Sequence, residues 1–296
     1  MFKLVNYVML CRPQQWMKNL FVFLPLFFDK NLFNFAYFIN TLWVFISFCF
    51  IASSIYCLND VIDCESDRLH PIKKKRPIAC GALSVSSAYF LMIVLCLLSF
   101  AILLFLPLGI FYKVALCIAF YFILNLLYCF KLKKFAILDV FIIAIGYVLR
   151  VIAGASSTNI HTSEWIMLLT FLITLFIAFA KRRDDVIVYE STGEVRRKSI
   201  SSYNLQFMNQ VLTLLASVTI ICYIMYTISP EVEGRFNNKN LYLSSLFVVA
   251  GIIRYLQLTL VFAKSGNPTE IILKDRFLQI CIFFWILFFF IIIYIQ

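Results

Sequence analysis

One stretch of ten residues carries four of the chain's fifteen acidic side chains: Asn59-Asp60-Val61-Ile62-Asp63-Cys64-Glu65-Ser66-Asp67-Arg68. If the apolar helix before it continues through it, positions 60, 63 and 67 follow i, i+3, i+7 and share one face, with Asn59 beside them. Three carboxylates on one face repel each other unless a cation joins them. An all-oxygen donor set suits magnesium, which is usually held by a few carboxylates together with phosphate oxygens of a substrate. Asp60, Asp63 and Asp67 are therefore the candidate catalytic and metal-binding residues. The alternative is a solvated acidic helix end.

Other constellations stand close to this one in type. Leu69-His70-Pro71-Ile72-Lys73-Lys74-Lys75-Arg76-Pro77-Ile78-Ala79-Cys80-Gly81 follows directly, and its two prolines exclude a plain helix. Its four consecutive cations could neutralise phosphates of a metal-bound substrate. They could equally serve topology alone, a reading that fits Lys73–Lys75 better than Arg76, which sits just before a proline. Lys181-Arg182-Arg183-Asp184-Asp185 mixes cations with carboxylates and reads as a second metal site, a charge relay or an interfacial ion-pair patch. Arg12-Pro13-Gln14-Gln15-Trp16-Met17-Lys18-Asn19 adds cations and amides, and Trp16 has the placing of an interfacial anchor. Tyr128, Lys133, Lys134 and Asp139 straddle a further connection. Asp139 and Arg150 lie eleven apart, about three turns, on one helix face. They read either as functional intramembrane charges or as a buried ion pair between helices. Gly146 and Gly154 on that helix have the spacing of close-packing positions.

The elements that must carry these groups are membrane helices. The chain is 63% hydrophobic, 18% aromatic and only 14% charged, against about 45–50% apolar and about 25% charged for soluble domains. Nine apolar stretches approach the length of about 20 residues needed to cross a bilayer: 13–28, 35–58, 84–106, 110–130, 136–155, 163–180, 205–229, 241–262 and 277–295. The first is short, and residues 4–11 could extend it along the interface before the Arg12-Pro13 bend. The expected fold is all-α, a polytopic bundle of about nine transmembrane helices forming one membrane-embedded domain over 1–296. Irregular backbone is expensive in lipid, which disfavours anything else.

The loops orient that bundle. Twenty of the 26 basic residues fall in connections on the side of the N-terminus and four on the opposite side. By the positive-inside rule the N-terminus is cytoplasmic and the C-terminus outside. The net charge of +11 then has its first explanation in topology and its second in anionic ligands, with no call for nucleic acid. Both carboxylate clusters fall at the same cytoplasmic face of the membrane. The ten cysteines show no CxxC pair and no zinc spacing, and they read as small apolar packing residues. No small-residue cleavage site follows the first ten residues.

Taken together, the segments RPQQWMKNLFVFLP, NDVIDCESDRLHPIKKKRPIACG, ILDVFIIAIGYVLRVIAGA and KRRDD resemble the UbiA superfamily of intramembrane prenyltransferases. They are most similar to its decaprenyl-phosphate phosphoribosyltransferase branch, from about residue 12 to residue 229. The resemblance implies a nine-helix bundle whose cytoplasmic end holds magnesium and pyrophosphate while a lipid tail enters from the bilayer. It implies 5-phosphoribosyl 1-pyrophosphate as donor, polyprenyl phosphate as acceptor and a role in lipid-linked pentose for the cell envelope. Asn59, Asp60, Asp63 and Asp67 carry over for magnesium and pyrophosphate, and Lys18, Lys73, Arg76 and Lys133 for phosphate contacts. Asn19, Tyr128, Asp139, Lys181, Arg182 and Asp185 complete the substrate-binding set. Two departures stand out: Asp185 takes the place of a usual glutamate, and the superfamily's second DxxxD motif is absent. The competing readings are a UbiA-type transferase of a prenyl chain onto an aromatic ring, and a lipid transporter without enzymatic activity.

Overall fold

A computed structural model describes residues 2–69, 73–161, 163–193, 198–263 and 268–295. His70, Pro71 and Ile72 of the basic run, and Arg196, Arg197 and Lys264 of the loop charges, lie outside the described residues. In chain order the helices are α1 Phe2–Cys11, a 3₁₀ segment Pro13–Phe23, α2 Leu24–Phe28, α3 Phe35–Ile62, α4 Cys64–Leu69, α5 Val85–Ile102 and α6 Leu108–Phe130. Then follow α7 Leu138–Ser156, α8 Glu164–Thr192, α9 Leu205–Thr227, α10 Pro230–Phe236, α11 Ser245–Leu260, α12 Pro268–Lys274 and α13 Arg276–Phe290. No strand occurs among the described residues.

Eight helices are long and apolar enough to cross a bilayer, and they coincide with the second to ninth expected spans. The first differs. Residues 13–28 are helical, but Pro13–Phe23 winds as 3₁₀ before the short α2, so this stretch is not one of the eight. Arg12, in the left-handed region at φ 52°, turns the chain between α1 and Pro13. Local signals set several of the other starts. Asn34, Ser84, Asn204 and Asp275 each accept a hydrogen bond from the backbone N–H three residues on, the usual way to satisfy an orphan donor at a helix start. Gly193, at φ 71°, closes α8 in the left-handed turn that glycine adopts without strain.

The chain divides into two compact units, Met1–Lys133 with Gly146–Thr162, and Lys134–Ile145 with Ser163–Gln296. In the first unit α3 is largely buried, whereas α5 and α6 leave Phe90, Leu97 and Leu116 exposed, as a lipid-facing surface requires. Small polar residues draw the helices together: Ser47 bonds Ser99 Oγ at 2.8 Å and its carbonyl at 2.7 Å, and Ser54 donates to the Met92 carbonyl at 2.9 Å. Gly154 of α7 lies directly against the 3₁₀ segment. A Cβ there would stand 1.9 Å from the carbonyl oxygen of Val22. Gly146 is also tight, with a Cβ meeting the Tyr121 ring at 3.4 Å. In the second unit Val140 and Ala144 of α7 join Leu175, Phe176 and Phe179 of α8 and Met208 and Leu212 of α9 in one apolar cluster. All ten cysteines are free thiols, and five are buried.

Candidate active site

The aspartate motif straddles a helix break. α3 ends at Ile62, Asp63 caps it, and α4 begins at Cys64, so the expected single helix through residue 67 does not form. Asp63 joins the two pieces. Its N–H donates to the Asn59 carbonyl at 2.9 Å, and its own carbonyl accepts from the Asp67 N–H and the Ser66 hydroxyl, each at 2.8 Å. The break still leaves the three carboxylates at one end of α3.

Cations stand where the spacing called for a metal to join them. Arg12 hydrogen-bonds Asp60, and Arg76 Nη1 reaches Asp60 Oδ1 at 3.1 Å and Asp67 Oδ2 at 2.5 Å. Lys133 Nζ lies 2.5 Å from Asp63 Oδ1 and 3.4 Å from Asn59 Oδ1. Asn59 donates its amide to Asp63 Oδ2 at 3.0 Å. Among the described residues no three carboxylates, histidines or cysteines are gathered as a metal-binding group. The donor chemistry nevertheless fits magnesium: three carboxylates and one amide oxygen, all hard, with no sulfur or imidazole among them. Asp60 and Asp67 are almost fully buried, while Asp63 is 30% exposed.

Each cation is delivered by its own piece of backbone. Arg76 follows a 3₁₀ turn, Lys73–Lys75, and precedes a loop whose Ile78 and Leu83 pack on Leu10, Cys57 and Cys64. Lys133 sits in the 3₁₀ turn after α6. Arg12 pays in backbone strain, about 1–2 kcal/mol for a non-glycine left-handed residue, and its guanidinium also covers the Tyr56 ring at 5.0 Å. Arg12 was missed as a partner of the motif by sequence reasoning; its one sequence signal was the Arg-Pro pair at the membrane boundary. Lys73 is half-buried, whereas Lys74 and Lys75 are exposed. Tyr128 is half-buried, and its neighbour Cys129 lies 3.7 Å from Asn59 Oδ1.

Beneath the motif in the same unit, Asn19 and Arg150 occupy each other. Arg150 Nε donates to Asn19 Oδ1 at 2.8 Å, Nη1 to the Gly146 carbonyl at 2.7 Å and Nη2 to the Tyr121 hydroxyl at 2.9 Å. Asn19 gives its amide to Cys49. Both its polar atoms thus stay within the protein. Arg150 and Asp139 are not paired with each other; each is satisfied within its own unit.

The second unit holds the other charged cluster. Asp139, fully buried, receives Arg182 Nε at 2.6 Å, Ser199 Oγ at 3.3 Å and the Tyr203 hydroxyl at 3.4 Å. Arg182 also touches Asp185 at 3.4 Å, and Arg183 is spent on Asn209 and the Thr259 carbonyl, each at 2.7 Å. Burial and the nearby Asp139 carboxylate push the Tyr203 hydroxyl up to about 12, so it remains a donor at neutral pH. Its oxygen also accepts the N–H of Ile137 at 2.5 Å, holding a β-branched residue at φ 68°, which is a strained position. Lys181 is exposed. Tyr203, Ser199 and Tyr121 carried no sequence signal, because a neutral hydrogen-bond partner looks like any other polar residue.

A family model for the UbiA prenyltransferase family matches residues 29–261. The chain belongs to this family. Among curated proteins it is 35% identical over 285 residues to the decaprenyl-phosphate phosphoribosyltransferase of Mycolicibacterium smegmatis, covering 93% of this chain and 88% of that one. It is 33% identical over 281 residues to the protein of the same name from Mycobacterium tuberculosis, covering 93% and 90%. Among solved structures it resembles a UbiA homolog from Archaeoglobus fulgidus bound to DMAPP and Mg2+, with a TM-score of 0.72 over 98% of this chain and 100% of that one at 19% identity. That likeness shows the UbiA fold. With its apolar helices, the family places the chain among integral multi-pass membrane proteins.

Proposed function

We propose that this UbiA-family protein transfers 5-phosphoribose from 5-phosphoribosyl 1-pyrophosphate to a polyprenyl phosphate, releasing pyrophosphate. The observation that carries the reading is the match, over nearly the whole of both chains, to proteins named for that transfer. The charge pattern of the motif supports it. An anionic phosphate oxygen of the lipid attacks ribose C1, the C1–O bond to pyrophosphate breaks, and no proton has to be removed from the nucleophile. What the site must do is hold two highly charged reactants in line and stabilise the leaving group.

Asp60, Asp63, Asp67 and Asn59 are the groups that would hold magnesium, which supplies Lewis-acid stabilisation of pyrophosphate when bound. Arg76 and Lys133 are partly exposed cations already poised on those carboxylates, and in this reading they turn to donor phosphate, with Lys73 beside them. Arg12 anchors Asp60. Asp139, Arg182 and Asp185 hold the fold of the second unit, and Tyr128 in the first unit and Lys181 in the second are proposed as substrate contacts. The loop charges support a site at the cytoplasmic face of the cell membrane, a cytoplasmic N-terminus and an outward C-terminus, with 1–296 acting as one transferase domain.

The test supplies purified protein with magnesium, ribose-labelled donor and polyprenyl phosphate. Label should pass into the lipid fraction with one pyrophosphate released per transfer. Label that stays in water, while a prenyl diphosphate is consumed with an aromatic acceptor, overturns the reading in favour of prenyl transfer. Reporters fused after Gln296 and near Lys198 should be active on opposite sides of the membrane; the same side for both removes the orientation.

A further inference from the structure

The polarity of α9 is inverted for a helix in lipid. Its inner side carries Met208, Leu212, Leu215 and Ala216, packed into the apolar cluster of the second unit. Gln206, Gln210, Thr213 and Ser217 follow i, i+4, i+7 and i+11 and so form one stripe on the opposite side. All four are exposed. Other spans turn apolar side chains outward: Phe90 and Leu97 on α5, Leu116 on α6, Ile280 and Phe283 on α13. α9 is long and apolar enough to cross the membrane, and at about 1.5 Å per residue its stripe runs about 16 Å along it. That is about half of the hydrocarbon thickness. Headgroups at the end of the helix can solvate Gln206, whereas Ser217 lies near the middle.

The hydrogen bonds along the stripe are half made. Thr213 donates to the Asn209 carbonyl and Ser217 to the Thr213 carbonyl, each at 3.0 Å, and both oxygens keep lone pairs for an outside donor. The side-chain amides of Gln206 and Gln210 have no partner among the described residues. Acyl chains offer nothing to these groups, and polar side chains on membrane helices find their partners on other helices. Gln210, Thr213 and Ser217, with Asn209 and Leu214, line a surface groove of about 410 Å³, a recess that a neighbour's side chains can enter. The stripe itself carries no charge, so it lacks what would recognise an anionic headgroup. An amide has a donor end and an acceptor end, which makes glutamine its own complement. Copies of a membrane protein insert the same way up, so a two-fold axis relating two of them runs along the membrane normal. Such an axis makes one patch face itself, equal depth against equal depth.

We propose that the outward face of α9 is a homodimer interface, on which a second copy of this chain lays its own α9 in parallel. Gln206 and Gln210 pair amide to amide with their counterparts. Thr213 and Ser217, small residues one turn apart, let the two backbones close and accept hydrogen bonds across the seam. The interface stands on the second unit alone and holds whichever reaction the protein performs.

The test oxidises the full-length protein in phosphatidylcholine vesicles, in a Cys80→Ser background that removes the exposed native thiol. Ser217→Cys should give a disulfide-linked dimer on a denaturing gel. Leu116→Cys, exposed on α6, should stay monomeric, as should the background alone. Sedimentation in detergent then measures the dimer itself. Gln206→Leu combined with Gln210→Leu replaces the amides with side chains that suit lipid and should raise the dissociation constant about three- to thirtyfold, the range for polar contacts between membrane helices. A protein that is monomeric in vesicles and in detergent at every concentration overturns the interface. So does an oligomer that leaves Ser217→Cys unlinked, or one that the two leucines leave as tight as wild type. A ring of three or more copies overturns the two-fold pairing.

Discussion

The aspartate motif of the first unit and the Asp139–Arg182 cluster of the second are made from the same residue types, and the structure uses them in opposite ways. Asp139 and Arg182 are sealed, 0% and 1% exposed, and the carboxylate is further held by a serine and a tyrosine. Both carboxylate oxygens have fixed donors, and exchanging Arg182 would strand a charge in an apolar interior. At the aspartate motif Asp60 and Asp67 are buried, but Asp63 is 30% exposed, and the facing Arg76 and Lys133 are 25% and 15% exposed and come from 3₁₀ turns and loops. Those pairs can exchange partners. A charged cluster is thus marked as a working site less by its acids than by the freedom of the cations that face them.

The sharpest way to break this contrast is to truncate both clusters. Asp139→Ala takes from the buried Arg182 its shortest ion pair and leaves only the longer contact with Asp185 on record, a loss of about 3–5 kcal/mol, and should give little folded protein by size-exclusion in detergent. Asp63→Ala should fold, with a thermal midpoint near wild type, yet lose about a hundredfold or more in turnover, the scale for losing electrostatic stabilisation of a leaving group. Excess EDTA should do the same to wild type, and added magnesium should restore it. If Asp139→Ala proves stable and active while Asp63→Ala unfolds, the two roles are reversed. Next in size, Arg76→Ala should raise the Michaelis constant for the donor by about ten- to hundredfold, with a smaller change for the lipid. The smallest effect belongs to Lys74→Ala, whose exposed side chain should leave both constants within about twofold; a crippled Lys74 variant with a silent Arg76 variant means the phosphate contacts sit on other cations.

Much of the fold was legible because lipid imposes a rule that hydropathy can read: eight of the nine expected spans are present as long apolar helices. The first escaped because hydropathy does not distinguish 3₁₀ winding from α, and its close approach to Gly154, a contact between segments about 130 residues apart, leaves no local trace. The aspartate motif was legible from spacing, but its break at Asp63 was not, since no proline or glycine marks it. Lys133 and Arg76 were found because charge is conspicuous in so apolar a chain. Arg12 was seen as a loop cation, and its reach to Asp60, 48 residues on, needed the folded chain. The Tyr121 phenol on Arg150 was invisible for a simpler reason: fifteen tyrosines in the sequence look alike until one knows which hydroxyls have partners.

The contact between Gly154 and Val22 bears on how this protein can change over time. Even a methyl group at position 154 would have to expel a carbonyl oxygen, so the segment carrying Lys18 and Asn19 has a single seat. Substitution at position 154 is therefore closed to every residue with a side chain unless the segment itself moves, and change along that segment has to come from exchanging its own side chains, with the absent Cβ at one glycine keeping the backbone in place.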